Sequence, residues 1–293
     1  TGDDEDFFPK FSLKYQVNDD VMVYGLYSEG FRPGGTNRAR GTPFFPASFS
    51  SDILENTEFG LKTTLANGRV RLNATYYDMS WNDYQLEVVD PSNVPCDLDT
   101  ALDPPFCGQP WQKVVANVGN ASSKGLEFQL DAAINQNLTI GFGASWLDAT
   151  INEDVQLEPG LIVPKGSRLP LSPEFKAAVS LAYERPVNWM NGNANSAFFR
   201  LQYSHTGDMF NQVEPIVDAP NLQILQPSYD ISDLSVGVRG DDWTLALFVD
   251  NLTDERAILF DNPYEFDRFF GLARQTVNRP REFGIRFSKS FAR

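Results

Sequence analysis

Apolar and polar residues alternate in segment after segment of this chain, and the connectors between segments alternate too, a tight polar turn followed by a long irregular stretch. Leu126, Phe128, Leu130, Ala132 and Ile134 share one parity, while Glu127, Gln129, Asp131 and Ala133 share the other. In an extended chain the two sets fall on opposite faces, one oily and one wet. The split recurs at Phe11, Leu13, Tyr15 and Val17, at Leu138, Ile140, Phe142, Ala144 and Trp146, at Phe175, Ala177, Val179, Leu181 and Tyr183, and at Trp243, Leu245, Leu247 and Val249. A period of two held over about ten residues is the pattern of a strand with lipid on one side and a polar lumen on the other. The fold class predicted is all-β, a transmembrane antiparallel β-barrel.

Composition agrees with that reading. The aromatic share is 13%, yet the mean hydropathy of -0.32 is that of a soluble protein; a barrel reconciles the two because only alternate residues meet lipid. The sequence contains no run of about 18 apolar residues, so a spanning helix is not expected. A net charge of -15 excludes nucleic acid as a partner, because a phosphate backbone requires basic surface. Cys96 and Cys107 sit in one Pro- and Asp-rich stretch. With no CxxC spacing and a single histidine in the chain, they read as a disulfide in an oxidising compartment rather than as a metal site. An unstrained bridge there would stabilise its short loop by about 2 to 3 kcal/mol on the loop-entropy estimate.

Turn signals place strands near 10 to 17, 20 to 29, 54 to 65, 69 to 89, 112 to 134, 138 to 151, 173 to 184, 196 to 206, 227 to 239 and 243 to 251, with a last strand ending at Phe291. Asn18-Asp19-Asp20, Ala66-Asn67-Gly68, Asn135-Gln136-Asn137 and Gly240-Asp241-Asp242 are the tight turns, and Pro186 to Asn195 is a longer one. Hairpins of this kind favour Asn, Asp and Gly at the turn. The total is about eleven strands. In bacterial barrels the long loops face outside, so the first strand starts outside and the last runs inward. Complete barrels have even strand numbers, and an open sheet would leave unpaired edges in lipid. The expectation is that further strands come from an upstream segment or a partner chain.

Tyr24 to Gly35 (YGLYSEGFRPGG), Ser123 to Asp131 (SKGLEFQLD), Leu247 to Glu255 (LFVDNLTDE) and Arg279 to Phe291 (RPREFGIRFSKSF) together resemble the carboxy-terminal half of TonB-dependent outer-membrane receptors. The resemblance covers residues 1–293. It implies that these are the last eleven strands of a 22-stranded barrel, with the plug domain and the amino-terminal strands lying outside the sequence. It also implies a nutrient receptor in the outer membrane of a Gram-negative bacterium, driven through its plug by the inner-membrane TonB-ExbB-ExbD complex and surrounded by lipid and lipopolysaccharide. Ferric siderophores are the commonest cargo, with cobalamin and oligosaccharides as alternatives; an iron complex would be cargo, and no cofactor is expected. Phe287 and Phe291 match the aromatic end that the barrel-assembly machinery recognises, although Ala292 and Arg293 follow where the family usually stops.

The candidate ligand contacts are aromatic and arginine residues of the outer connectors. Phe31 and Arg32 could touch a ligand, or Gly30, Pro33, Gly34 and Gly35 could simply turn the chain at the rim with Arg32 paired to an acid. Arg38 and Arg40, beside Phe44 and Phe45, and Tyr264, Phe266, Arg268, Phe269, Phe270 and Arg274 could cap an anionic aromatic ligand. They could equally pack loops together or sit among lipopolysaccharide headgroups. Trp111 is a possible stacking platform. Trp81, Tyr84, Trp189, Trp243 and Tyr203 lie near strand ends, where rings favour the membrane boundary. His205 shares the parity of Leu201 and Tyr203 and is placed at the rim. An adhesin or enzyme on a smaller barrel would need a catalytic constellation, and the chain has no GxSxG, HExxH or phosphate loop. A soluble can would need a central helix, which no segment supplies. The chain is therefore not expected to be an enzyme.

Overall fold

The structure, a computed structural model, describes residues 7–37, 45–90, 112–158, 161–189, 194–213, 223–261 and 274–291. In chain order the strands are β1 (Lys10–Asn18), β2 (Val21–Arg32), β3 (Gly35–Thr36), β4 (Ser48–Phe49), β5 (Asp52–Leu65), β6 (Val70–Asn82) and β7 (Gln85–Asp90). They continue as β8 (Gln112–Asn117), β9 (Ala121–Ala133), β10 (Leu138–Ile151), β11 (Val155–Glu158), β12 (Leu161–Val163), β13 (Phe175–Trp189) and β14 (Ala194–Thr206). The last are β15 (Met209–Phe210), β16 (Leu225–Gln226), β17 (Tyr229–Arg239), β18 (Trp243–Asp250), β19 (Ile258–Asp261), β20 (Gln275–Val277) and β21 (Glu282–Lys289).

Eleven of these make one sheet in the order β1-β2-β5-β6-β9-β10-β13-β14-β17-β18-β21. Every neighbouring pair in it is antiparallel, and among the described residues β1 and β21 are its open edges. Each long connector between wall strands carries one two-stranded pair of its own: β3-β4, β7-β8, β11-β12, β15-β16 and β19-β20. The expected rhythm of tight turns and long outer connectors is therefore what the chain builds.

Register turns the period-two pattern into two chemically distinct faces. Leu13, Gly25, Phe59, Tyr76, Leu126, Trp146 and Phe175 form one row across seven strands, and Leu201, Leu234, Val249 and Phe283 belong to another row on the same face. Phe59, Trp146, Leu247 and Ile285 stand exposed on it, as side chains that meet lipid must. Above this band the same face changes to Tyr27, Thr57, Asp78, Lys124 and Asp148, with Lys124 and Asp78 ion-paired at 3.2 Å. That switch marks the outer boundary of the apolar zone. The opposite face carries Lys62, Asn73, Gln129, Gly143, Ala178 and Ser204 in one row, a polar lining. Tyr24 lies over Gly60 and Tyr77 over Gly125 on this inner face; a Cβ on either glycine would fall within 2.3 Å of the ring or its hydroxyl. Bare backbone there lets an aromatic ring from the next strand lie flat against the wall.

The structure corrects four sequence expectations. The strands expected at 69 to 89 and 112 to 134 are each broken, into β6 and β7 and into β8 and β9. The breaks fall where Asp83 and Gly119 adopt left-handed backbone, at φ 56° and 74°, a conformation that turns a strand out of the sheet. β13 continues through Pro186 to Trp189 with a register irregularity, so its turn is shorter than expected. The last strand ends at Lys289, and Phe291 lies beyond it, exposed, with the Lys289 ammonium 5.8 Å from its ring centroid.

Candidate ligand-facing rim

The buried side chains of this protein cluster in its outer connectors. Leu86, Val114, Ala116, Val118, Ala121, Ala149, Ile151, Val163, Leu169 and Val213 form one contiguous core, with Phe45, Trp81, Tyr84, Leu147 and Val155 packed against it. These residues come from the connectors 33–51, 83–120, 152–174 and 207–228 together with the upper ends of the wall strands. Each buried Val or Ile contributes about 1.5 to 3 kcal/mol relative to exposure, so the described parts of the four connectors are held as one body.

Polar contacts stitch the same connectors together. Asn37 Nδ2 donates to the Val115 carbonyl at 2.8 Å, and the Val115 amide donates back to Asn37 Oδ1 at 2.9 Å. The Ser50 amide donates to Asn117 Oδ1 at 2.8 Å, and Asn117 Nδ2 reaches the carbonyls of Ser50 and Asp83. The Asn120 amide donates to Glu153 Oε1 at 2.8 Å. Arg168 pairs with Glu174 and Asp208 and donates to the Asp208 carbonyl at 2.8 Å. The fifth connector joins through the Asp261 amide, which donates to the buried Gln226 side chain at 2.8 Å. At its base Asn251, in left-handed backbone, donates to the carbonyls of Glu255 and Arg279. Beside it Asp254 accepts from the Arg281 amide at 2.9 Å, a bond that holds its carboxyl below the usual range.

Arg32 is the best-defined candidate on the inner side of this rim. Its register partner Asp52 is 1% exposed and accepts from the Arg32 backbone and guanidinium and from the Gln85 amide at 3.0 Å. The guanidinium also donates to the Gln85 carbonyl at 3.0 Å and lies 5.0 Å from the Tyr84 ring centroid. Tyr84 in turn meets Trp81 edge to face at 5.8 Å. Hydrogen bonding to Asp52 raises the Arg32 pKa further, and burial pushes the Tyr84 hydroxyl above its usual 10. The result is a fixed cation on an aromatic platform, with about half of the arginine side chain exposed. Such a surface suits an anionic, aromatic ligand.

The sequence-derived candidates divide accordingly. Arg32 takes the acid-paired alternative, held by Asp52 while half of it stays open. Phe31 has the opposite parity and stacks on Phe8 at 4.5 Å, on the outer face, so a ligand in the mouth would meet Arg32 and not Phe31. Phe45 packs on the connector core. Arg274 is exposed at the start of the returning arm of the last connector. Arg38, Arg40, Phe44, Trp111, Tyr264, Phe266, Arg268, Phe269, Phe270, Cys96 and Cys107 lie outside the described residues. Trp81 and Tyr84, expected at the membrane boundary, belong instead to the inner rim: Trp81 shares the inward parity of Tyr77 at the end of β6, and the chain leaves the wall at Asp83 and carries Tyr84 onto the connector core. His205 sits at the outer end of β14, 2.8 Å from Asp230 and on the parity of Tyr203, as expected of a rim residue. Asp52 and Gln85 escaped sequence reasoning, because sheet register and the turn of the chain at Asp83 bring them to Arg32 and no local pattern carries either.

A family model described as TonB dependent receptor-like, beta-barrel, matches residues 1–252. A metal-pseudopaline receptor of Pseudomonas aeruginosa is 23% identical over 250 residues, which cover 85% of this chain and 29% of that receptor. Among solved structures, the ferric yersiniabactin uptake receptor of Yersinia pestis aligns with a TM-score of 0.71 at 21% identity, over 97% of this chain and 37% of its own. The siderophore receptor PiuA of Acinetobacter baumannii aligns with a TM-score of 0.65 at 15% identity, over 95% and 35%. The chain thus spans about a third of the length of the relatives it matches.

Proposed function

The chain belongs to the TonB-dependent receptor β-barrel family, and on that premise we propose that it forms the carboxy-terminal half of the barrel of an outer-membrane nutrient importer whose cargo is a ferric siderophore or a related metal chelate. The observation that carries the cargo class is the inner-rim platform of Arg32 on Tyr84, anchored by buried Asp52. Metal chelates of this kind are anionic and often aromatic, and a cation fixed on a ring at the mouth meets both properties. The names of the relatives, receptors for metal-pseudopaline and ferric yersiniabactin, point the same way.

In this reading the remaining strands and a plug come from the same receptor, the plug engages TonB-ExbB-ExbD, and Cys96 and Cys107 bridge the second connector. The loop arginines and aromatics Arg38, Arg40, Trp111, Tyr264, Phe266, Arg268, Phe269 and Arg274 complete the ligand surface. The test is uptake by cells lacking the full-length gene, with and without restoration by the unaltered gene or by Arg32→Ala. Restored uptake of ferric chelates that Arg32→Ala weakens supports the assignment. Uptake of ferric chelates, cobalamin and oligosaccharides that is unchanged by the deletion overturns it.

A further inference from the structure

A guanidinium carries its N–H donors on three nitrogens, and two of its edges offer them as parallel pairs: Nε with Nη2, and Nη1 with Nη2. At Arg32 the first pair is taken by Asp52. Nε donates to Oδ1 at 3.1 Å and to Oδ2 at 2.9 Å, and Nη2 donates to Oδ2. The second pair is broken by the backbone, because Nη2 also donates to the Gln85 carbonyl at 3.0 Å. Nη1 makes no hydrogen bond among the described residues. Arg32 therefore meets a ligand with one nitrogen.

The arrangement is fixed on its protein side. Asp52 is 1% exposed and also accepts from the backbone amides of Arg32 at 3.2 Å and Gln85 at 3.0 Å. Opening the pair would leave a buried carboxylate without its cation, which costs several kcal/mol, so a ligand does not free the guanidinium from it. β2 and β5, which carry the two residues, are both paired on each side within the sheet. The occupied donors therefore do not depend on an open sheet edge.

We propose that Asp52 is a specificity-determining residue of this rim: with the Gln85 carbonyl it closes both guanidinium pairs and leaves Nη1 to hold a single ligand oxygen. This rests on the reading of Arg32 as a ligand contact in a metal-chelate importer. Carboxylates and phosphates present two oxygens side by side and gain most from a parallel pair, which is closed to them here. A ligand carboxylate on Nη1 would also lie across the guanidinium from the Asp52 carboxylate, a like charge. An aryl oxygen bound to ferric ion presents one oxygen, shares its charge with the metal, and brings a flat ring to the surface of Arg32 and Tyr84. The favoured cargo is a ferric chelate of phenolate or catecholate type over one held by carboxylates.

The experiment measures the iron that purified full-length receptor retains from ferric tris-catecholate and from ferric citrate. The unaltered receptor should hold the catecholate complex more tightly, a comparison that needs no variant. Asp52→Asn keeps an acceptor for the Gln85 amide but frees an Arg32 N–H, so the ratio of the two affinities should move towards citrate by about tenfold, the worth of one charge-assisted hydrogen bond. In an Arg32→Ala background the same substitution should leave the ratio where it was, because its effect passes through the guanidinium. Tighter binding of citrate by the unaltered receptor, or binding of neither complex, overturns the proposal. A ratio that Asp52→Asn leaves unchanged, as general damage to the rim would, or that shifts equally without Arg32, overturns it too. Uptake by cells separates the two readings. Entry of ferric chelates through the unaltered receptor, with these affinities failing, refutes the role of Asp52 alone, whereas entry of no ferric chelate refutes the importer reading.

Discussion

The wall and the rim of this molecule are built on opposite principles. Phe59, Trp146 and Leu247, on interior strands of the wall, are exposed, whereas Ala121, Val118, Ile151 and Val163 in the rim are at most 2% exposed. The wall leaves its apolar side chains on the outside because lipid is their solvent; the rim collapses around a core as a small soluble domain does. β10 passes through both regimes: on its inner face Thr139, near the periplasmic end, is exposed, whereas Ala149 and Ile151, at the outer end, are buried. Along that face burial follows height above the membrane.

The sharpest way to break that comparison is at Ile151. Ile151→Ala should destabilise the rim by about 3 to 4 kcal/mol, so that hydrogen exchange shows β7, β8, β11 and β12 losing protection while the middles of β14 and β17 keep theirs. Equal loss in both would mean that rim and wall unfold together. The wall has its own test in Leu247→Arg, on the lipid-facing row. It should cost about 2 to 4 kcal/mol on refolding into vesicles, and Ser180→Arg on the inner face should cost much less. If the two cost the same, the assignment of faces fails.

A smaller effect is expected at Gly125, where a Cβ would meet the Tyr77 hydroxyl at 2.3 Å and the Trp146 carbonyl at 2.7 Å. Gly125→Ala should cost about 1 to 3 kcal/mol as overpacking, and a double-mutant cycle with Tyr77→Ala should recover part of it. Smallest is a pH effect confined to the rim. Burial raises the pKa of Tyr84 above 10, so keeping it neutral stabilises the folded rim. That contribution is full below the unfolded value of about 10 and is lost as pH rises through the raised folded value. Rim protection measured by hydrogen exchange should decline in that alkaline window, and less so in Tyr84→Phe. An identical decline in both would remove Tyr84 from the account.

The wall was legible in the sequence because its burial rule is periodic: Leu126 to Ile134 announce their faces without reference to any other segment. The rim was not, because Val114, Ile151, Val163 and Val213 come from connectors far apart in sequence and share no period. The breaks at Asp83 and Gly119 were hidden for a related reason, since alternation resumes in β7 and β8 after a single left-handed residue. Asn82-Asp83 and Gly119-Asn120, both turn-forming pairs, were the signals present. Among the candidate residues, Arg32 could be marked but not its partner, because the Asp52 that holds it is twenty residues away and pairs only through sheet register.

The sheet of eleven antiparallel strands also has a directional consequence. Because eleven is odd, β1 and β21 point the same way, and a copy that curled up and joined its own edges would have to do so through a parallel seam. Two copies placed side by side would meet at parallel seams twice. Antiparallel pairing at both joints requires an odd number of strands whose outermost two run opposite to β1 and β21, a direction that a second copy in the same orientation does not offer.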